Sequence, residues 1–245
     1  MAQEIFPHRS FVEATGIENY QVAEKYYSKK NNVFRVVCNG RENESEKQVV
    51  VKHFLQSQKH FQREVMILEH LHLQGIPVPS LYRYTDRLLI MEHLPGSTLL
   101  QLLEKAEQED DLRDFERYRV KKHLVYGLLN WLHQTYAHLR DLYGQPMILC
   151  DIHFRNFIVG RHLYGFDFEN CRPGFIEEDL AAVMVYLLHY DPAWTLWKRE
   201  LATLFRLEAM RLFPLDPERL KHCFESKVNE LHCRRYRQDH HLELG

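Results

Sequence analysis

The amino-acid sequence predicts an α+β fold of two lobes: a small β-rich N-terminal lobe with one helix over residues 1–93, and a larger, mainly helical C-terminal lobe over residues 94–245. Short runs rich in β-branched and aromatic residues dominate the first part of the chain. A Pro-Gly connection at 94–96 follows them. Beyond it, apolar residues recur mainly at helical spacing. A group of strands followed by a group of helices is typical of an α+β domain.

Four strands are expected in the N-terminal lobe. Each run is short, apolar and rich in Val, Ile, Phe and Tyr, which suits a strand that packs on a core. The polar segment 39–47 between the first two runs contains Gly40 and reads as a hairpin connection. The four runs are VFRVVC at 33–38, QVVVKHF at 48–54, SLYRY at 80–84 and LLIMEH at 88–93.

One helix is expected among these strands, over residues 58–74. Phe61, Val65 and Leu68 lie at helical spacing along it. The segment GIPVP at 75–79 ends the helix, because Gly caps a helix and the prolines prevent its continuation.

The C-terminal lobe is expected to begin with helices, and its longest candidate covers 113–139. A non-helical block follows at 146–170, and helices resume to about residue 233. The apolar stripe of the long helix consists of Tyr118, Val125, Leu128, Leu129, Leu132 and Tyr136.

Composition excludes several classes of function. The formal charge of −2 gives no basic footprint for nucleic acid or for a membrane surface. The chain has 5 cysteines, none in CxxC spacing, which favours a reduced compartment. The first residues lack the apolar core of a signal peptide, and no run is long enough for a membrane helix. We therefore expect a cytoplasmic protein with no nucleic-acid or membrane partner, and its oligomeric state stays open.

The block 146–170 holds the residues that could carry chemistry. Asp151 and Asn156 form a D-x-x-x-x-N pattern, and Asp167 follows between two phenylalanines. Phosphoryl transfer needs a carboxylate that accepts the proton of the attacking hydroxyl, and oxygen ligands that hold Mg²⁺ on the phosphates. The pattern offers both kinds of group.

This block resembles the aminoglycoside phosphotransferase family, a small-molecule branch of the protein-kinase-like superfamily. LCDIHFRN at 149–156 is similar to that family's HGDLHxxN loop. GFDFE at 165–169 is similar to its metal-binding strand, and DLA at 179–181 is similar to the start of its next helix. The resemblance implies a bilobal protein-kinase-like fold.

Roles follow from the resemblance. It implies that Asp151 is the catalytic base and that Asn156 and Asp167 are Mg²⁺ ligands. Asp179 would be a structural carboxylate that braces the catalytic loop.

The resemblance extends into the N-terminal lobe and implies ATP as the phosphate donor. Lys52 matches the strand lysine that contacts the α- and β-phosphates, and Glu64 matches the helix glutamate that pairs with it. The backbone of Glu92, His93 and Leu94 would then bind adenine as the hinge.

A hydroxyl of a small molecule is the expected phosphate acceptor, of the aminoglycoside, amino-alcohol or sugar type. His153 stands where protein kinases of the HRDLKxxN type carry Lys, and the segment from Asp167 to Asp179 is too short for a peptide-binding platform. His153, Glu177 and Glu178 are the candidate acceptor contacts. Lipopolysaccharide-core and protein kinases share the same reactive centre and stay open as alternatives.

Two departures from the family's pattern leave an alternative open: the chain could be a catalytically inactive, kinase-like binding module. Leu149 stands where the family usually has His, and the segment EKYYSKKNN at 24–32 contains no Gly for a phosphate-binding turn. Backbone amides around Ser28–Asn32 could form that turn instead, since Asn tolerates left-handed geometry.

Overall fold

The computed structural model of the chain forms two compact units, each discontinuous in sequence. The N-terminal unit consists of Met1–Gly96 with Ile158–Asn170, and the C-terminal unit of Ser97–Phe157 with Cys171–Gly245. The residues that the structure describes are 6–39, 46–85, 87–108 and 114–242.

The N-terminal unit is built on an antiparallel sheet with the strand order β1-β2-β3-β5-β4. All four expected strands are present, and a further strand, β1, forms one edge of the sheet. The hairpin connection expected at 39–47 lies mostly outside the described residues, but β2 and β3 pair in antiparallel register up to Cys38 and Lys47. The strands are β1 Tyr20–Tyr26, β2 Asn31–Cys38, β3 Lys47–Phe54, β4 Leu81–Tyr84 and β5 Leu88–Glu92, and the helices are α1 His8–Thr15 and α2 Gln58–Leu73.

An aromatic and aliphatic core lies between the sheet and α1, a helix that the sequence pattern did not predict. Phe11 of α1 is fully buried in this core. Alternation along β3 sends Val49 and Val51 to this face and Lys52 to the other. Burial of each large side chain contributes about 1.5–3 kcal/mol. The core consists of Phe6, Phe11, Phe34, Val36, Cys38, Val49, Val51, Leu88 and Ile90.

Helix α2 covers nearly the range that the pattern predicts, and local chemistry fixes its ends. The Ser57 side chain accepts a hydrogen bond from the backbone N–H of His60 at its N-terminus. At the other end Gly75 adopts a φ of 73°, a left-handed conformation that suits glycine. The buried face of the helix includes Glu64, a carboxylate among apolar neighbours.

The C-terminal unit is mainly helical. Helix α5 is buried on almost all sides, and α4 matches the long helix predicted at 113–139. No helix in the described part of the chain is long and apolar enough to cross a membrane. The helices are α3 Leu99–Gln108, α4 Asp114–Tyr143, α5 Ile176–His189, α6 Leu196–Leu212 and α7 Pro217–Leu242. Its short strands are β6 Ser97–Thr98, β7 Met147–Ile148 and β10 Arg172–Pro173. Strand β8 Phe157–Val159 begins at the last residue of the stretch Ser97–Phe157 and continues into the N-terminal unit, and β9 Leu163–Gly165 belongs to the N-terminal unit.

The segment 158–170 returns to the N-terminal unit although it lies far along the sequence. Gly96 has a φ of 148°, and a Cβ atom placed on it would lie only 2.5 Å from the carbonyl oxygen of Val159. The backbone N–H of Gly165 donates to the carbonyl of Pro77 at 3.3 Å. The predicted lobes, 1–93 and 94–245, did not include this return, which carries Asp167 into the N-terminal unit.

Candidate active site

In the N-terminal unit, a buried lysine is surrounded by three carboxylates. Lys52 Nζ lies 2.6 Å from Asp167 Oδ1, 3.2 Å from Glu169 Oε2 and 3.6 Å from Glu64 Oε1. Strand β3 turns Lys52 away from the aromatic core, α2 supplies Glu64, and the returning segment supplies the other two acids. The structure thus brings together three residues that the sequence pattern singled out: Lys52, Glu64 and Asp167.

Burial and charge act in opposite directions on this cluster. Burial acts to lower the pKa of Lys52, but Glu64, Asp167 and Glu169 outweigh it and hold the pKa above its ordinary value. Burial raises the pKa of Glu64, and Lys52 offsets that only in part. Lys52 is therefore a fixed cation, and the cluster carries more negative than positive charge.

The carboxylate oxygens of this cluster are suitable ligands for Mg²⁺. This ion prefers hard oxygen ligands, and usually only one or two of its ligands come from the protein. Glu64 and Glu169 are buried, whereas the Asp167 side chain is 30% exposed. An added cation would offset the excess negative charge. Among the described residues, no three or more His, Cys, Asp or Glu side chains form a metal site by themselves. A metal here would need further ligands, as the phosphates of a nucleotide would provide.

The backbone at Asp167 is held in an uncommon conformation. Its φ of 71° lies in the left-handed region, which costs a residue with a Cβ roughly 1–2 kcal/mol. The next residue, Phe168, is 1% exposed and anchors the segment. Strained backbone of this kind persists where the surrounding packing fixes it, and such positions cluster at functional sites.

Side chains anchor the turn between β1 and β2, which contains no glycine. The buried Asn31 amide donates to Glu169 Oε2 at 2.6 Å, and the Asn31 backbone N–H donates to Ser28 Oγ at 3.2 Å. Lys30 Nζ donates to Asn170 Oδ1 at 3.1 Å. Glu169 thus ties this turn to Lys52. The sequence pattern does not single out Glu169, because the family resemblance assigns that residue no role of its own.

The residues expected to form the hinge lie at the end of β5 and directly after it. The Glu92 carboxylate accepts hydrogen bonds from the backbone N–H and the hydroxyl of Ser80, at 3.1 and 2.9 Å. Leu94 is buried, and burial lowers the pKa of the half-buried His93. Because the Glu92 side chain is engaged with Ser80, the backbone is the part of this segment suited to binding a base.

In the C-terminal unit, Asp179 holds the loop that precedes Asp151. Its carboxylate accepts hydrogen bonds from the backbone N–H of Leu149 at 2.6 Å, the N–H of Cys150 at 3.0 Å and the hydroxyl of Tyr136 at 2.9 Å. Burial raises the pKa of Asp179 to about 6, and these hydrogen bonds counter part of that shift. Because Leu149 makes this contact through its backbone, the leucine in place of the family's histidine does not prevent it.

The loop itself is tightly folded around Asp151. The Asn156 amide nitrogen donates to the Asp151 carbonyl at 2.9 Å, so the amide oxygen is turned away from that carbonyl. The Asn156 backbone N–H donates to the His153 carbonyl at 2.8 Å, which closes a 3₁₀ turn. His153 Nε2 lies 3.3 Å from Asp151 Oδ1. The structure therefore brings Asp151, His153 and Asn156 into one compact loop.

The two candidate acceptor acids on α5 make contacts within their own unit. Glu177 is 3% exposed, accepts a hydrogen bond from the Asp216 backbone at 2.9 Å and lies 3.6 Å from Arg219. Glu178 pairs with Arg172 at 2.7 Å and caps the first turn of α5. These contacts give both acids a structural task at the N-terminus of α5.

Comparison with protein families bears on the fold and the class of function. The RIO domain family profile matches residues 10–132, which is half of the chain. The chain belongs to the RIO domain family. This is a family of atypical, protein-kinase-like kinases, so the α+β protein-kinase-like fold expected from the sequence is confirmed. No curated protein matches the chain.

The RIO domain match supports a kinase-type enzyme, and domains of this kind generally bind ATP with Mg²⁺. The matched segment contains Lys52, Glu64 and the hinge residues, and it ends within α4 before Asp151. It supports the protein-kinase-like superfamily without singling out the aminoglycoside phosphotransferase branch.

Proposed function

We propose that this RIO-domain protein transfers the γ-phosphate of Mg²⁺-bound ATP to a hydroxyl of a small molecule. The observation that carries the proposal is the buried Lys52, held 2.6 Å from Asp167 and 3.6 Å from Glu64. A cation fixed in this way is suited to binding phosphate oxygens, and the adjacent, partly exposed carboxylate of Asp167 is suited to binding the metal.

Each side chain has a distinct task in the proposed reaction. Bound Mg²⁺–ATP supplies the phosphoryl group and the metal that neutralises its charge. Lys52 binds the phosphates, while Glu64 and Glu169 hold its ammonium group. Asp167 and the Asn156 amide oxygen would hold the metal.

Asp151 completes the transfer as the base. It accepts the proton of the acceptor hydroxyl as the new oxygen–phosphorus bond forms and the bond between the β- and γ-phosphates breaks. ADP and a phosphate ester are the products.

The short path from Asp167 to α5 supports a small acceptor. After Asp167 the chain forms only the two-residue strand β10 before α5 begins at Ile176. A peptide substrate needs an extended binding platform in this region, and the segment between Asp167 and α5 is too short to form one. The likeness of the 149–156 loop to small-molecule phosphotransferases supports the same acceptor class, with amino sugars, amino alcohols and sugars as the first candidates.

An ADP-release screen against aminoglycosides, choline-like amines, amino-acid alcohols and sugars tests the proposal. We expect acceptor-dependent ADP release that needs Mg²⁺. Asp151→Asn should abolish turnover and leave nucleotide binding nearly intact, whereas Asp167→Ala should also lose metal-dependent nucleotide binding. Turnover by Asp151→Asn at the wild-type rate would show that the base is wrongly assigned.

The turn without glycine favours a second candidate, a kinase-like module that does not transfer phosphate. A thermal-shift titration with Mg²⁺–ATP separates the two. Ligand at 100 times its Kd adds about 2.7 kcal/mol to the free energy of unfolding. Absence of a shift at millimolar nucleotide would favour the inactive module, and a shift with acceptor-dependent ADP release would favour the enzyme.

A further inference from the structure

We infer that His153, supported by Tyr186, is a positioning residue that orients the Asp151 carboxylate for proton transfer. The inference rests on the proposed function, in which Asp151 is the base. The inference extends the proposed function, because it assigns His153 to the positioning of Asp151 and not to binding of the acceptor.

The imidazole is placed to hold one oxygen of the carboxylate. His153 Nε2 lies 3.3 Å from Asp151 Oδ1, and the two side chains are 38% and 32% exposed. To donate to this oxygen, a neutral ring must carry its proton on Nε2. Since a ring donor at Oδ1 restricts rotation of the carboxylate, Oδ2 takes a defined direction as well.

A stacked tyrosine fixes the plane of the imidazole. The rings of His153 and Tyr186 are 4.0 Å apart between centroids, with an interplanar angle of 29°. Tyr186 belongs to the buried helix α5 and is 6% exposed. An aromatic ring held in a helix of the unit core gives the histidine a rigid support that a loop alone cannot provide.

Helix α7 holds the tyrosine in turn. Lys227 Nζ lies 5.3 Å from the centroid of the Tyr186 ring, and the same ammonium pairs with Glu230 at 3.0 Å. The path from α7 through Tyr186 and His153 to Asp151 lies wholly within the C-terminal unit. Proton transfer depends steeply on the placement of the base, because displacement of reacting groups by about 1 Å can cost roughly 100-fold in rate.

Kinetics of two substitutions test the positioning role. His153→Phe keeps a ring for the stack and removes the donor, so we expect kcat for ADP release to fall about 10- to 100-fold with an unchanged KM for ATP. His153→Gln restores a donor and should recover part of that loss. His162→Phe, the same change at an exposed ring outside the cluster, should leave kcat at the wild-type value. Wild-type kcat for His153→Phe would overturn the inference.

A double-mutant cycle tests the support from Tyr186. Tyr186→Leu should lower kcat, and adding it to His153→Phe should lower kcat little further, because both act through Asp151. Circular dichroism melting of each variant checks that the fold is intact. Fully additive effects of the two substitutions would overturn the role of Tyr186.

Nitrogen NMR of the histidine rings provides a readout that needs no turnover. We expect the neutral ring of His153 to carry its proton on Nε2 in the wild-type protein, and Asp151→Leu to change this signal. A proton on Nδ1 would overturn the inference whether or not an acceptor is known. Full turnover by Asp151→Asn together with the Nε2 proton would instead refute Asp151 as the base and leave the contact with His153 in place.

Discussion

Lys52 is the residue at which stability and the proposed function are most closely joined. Its ammonium lies within 3.6 Å of three carboxylates, two of which are buried. A buried ion pair adds little net stability by itself, but the loss of one partner leaves the others as uncompensated charge. Lys52 therefore holds together acids that would otherwise repel one another.

Lys52→Met should lower the free energy of unfolding by about 3–5 kcal/mol near neutral pH, because Glu64 and Glu169 lose their buried counter-ion. Urea denaturation followed by fluorescence measures this change. Lys59→Met, at an exposed position of α2, is the matched control and should change stability by less than about 0.5 kcal/mol. Equal effects of the two substitutions would contradict the role given to the cluster.

Asp179 gives the fold a dependence on pH with a defined sign. Its pKa in the folded state is about 6, above the ordinary value of 3.8. The folded chain thus binds a proton more readily than the unfolded chain, and the associated stability is complete below about pH 3.8 and lost as the pH rises through about 6.

Asp179→Asn should remove this pH dependence. The stability of the wild type relative to the variant should fall by roughly 2 kcal/mol between pH 4 and pH 7, since one pKa unit corresponds to about 1.4 kcal/mol and part of the effect is already lost at pH 4. Chemical denaturation at a series of pH values measures the difference. Asp141→Asn, at an exposed position of α4, should show no such trend. A difference that rises with pH would refute the assignment.

At the residue scale, the sequence predicted the side chains that belong to recognisable motifs. It missed the side chains whose contacts are with residues distant in the sequence. Lys52, Glu64 and Asp167 stand in recognisable patterns, and the structure groups them. Asn31 and Glu169 are hydrogen-bonded although they lie 138 positions apart in the sequence, and no local sequence pattern predicts such a contact. Nothing in the spacing of residues shows that a carboxylate beside the motif will be buried.

At the scale of elements, the expected strands and helices with strong apolar patterns are present within a few residues of their predicted bounds. Besides two-residue strands such as β6 and β10, the elements missed are α1 and β1. Helix α1 has only 8 residues, and a single residue, Phe11, is buried. Strand β1 is an edge strand with mostly exposed side chains, so it lacks the alternation that reveals a half-buried strand.

Two glycines in different elements should respond in opposite ways to substitution by alanine. At Gly96 the φ of 148° and the contact with Val159 exclude a Cβ atom, so we expect a loss of about 2–4 kcal/mol in the free energy of unfolding. At Gly127, in the interior of α4 with open space around it, alanine should stabilise the protein by about 0.5–1 kcal/mol. Thermal unfolding of both variants measures these changes, and a neutral Gly96→Ala would contradict the close packing at β8.

At the scale of the whole molecule, the N-terminal unit is assembled from two separate stretches of chain. The RIO domain match at 10–132 covers most of the first stretch and none of the second. Residues 158–170 nevertheless contribute two of the three carboxylates around Lys52. The unit expected from a single boundary at residue 93 would lack both of these acids.

A chain of residues 1–96 alone should therefore be poorly folded, whereas residues 1–96 joined to 158–170 through a short Gly-Ser linker should fold. The splice is geometrically reasonable because a Cβ on Gly96 would lie 3.1 Å from the Ile158 side chain. Dispersion of amide signals in NMR spectra compares the two chains. A well-folded 1–96 fragment would show that the returning segment is dispensable.

The return of residues 158–170 also bears on how the protein forms during synthesis. Lys52 meets Asp167 only after 115 further residues have been translated, so a nascent chain on the ribosome carries this lysine beside Glu64 without its remaining partners. Contacts between residues so distant in sequence slow folding, because the entropy of closing the loop is lost before the contact forms. Lys52 thus acquires its full set of partners late in the making of the protein.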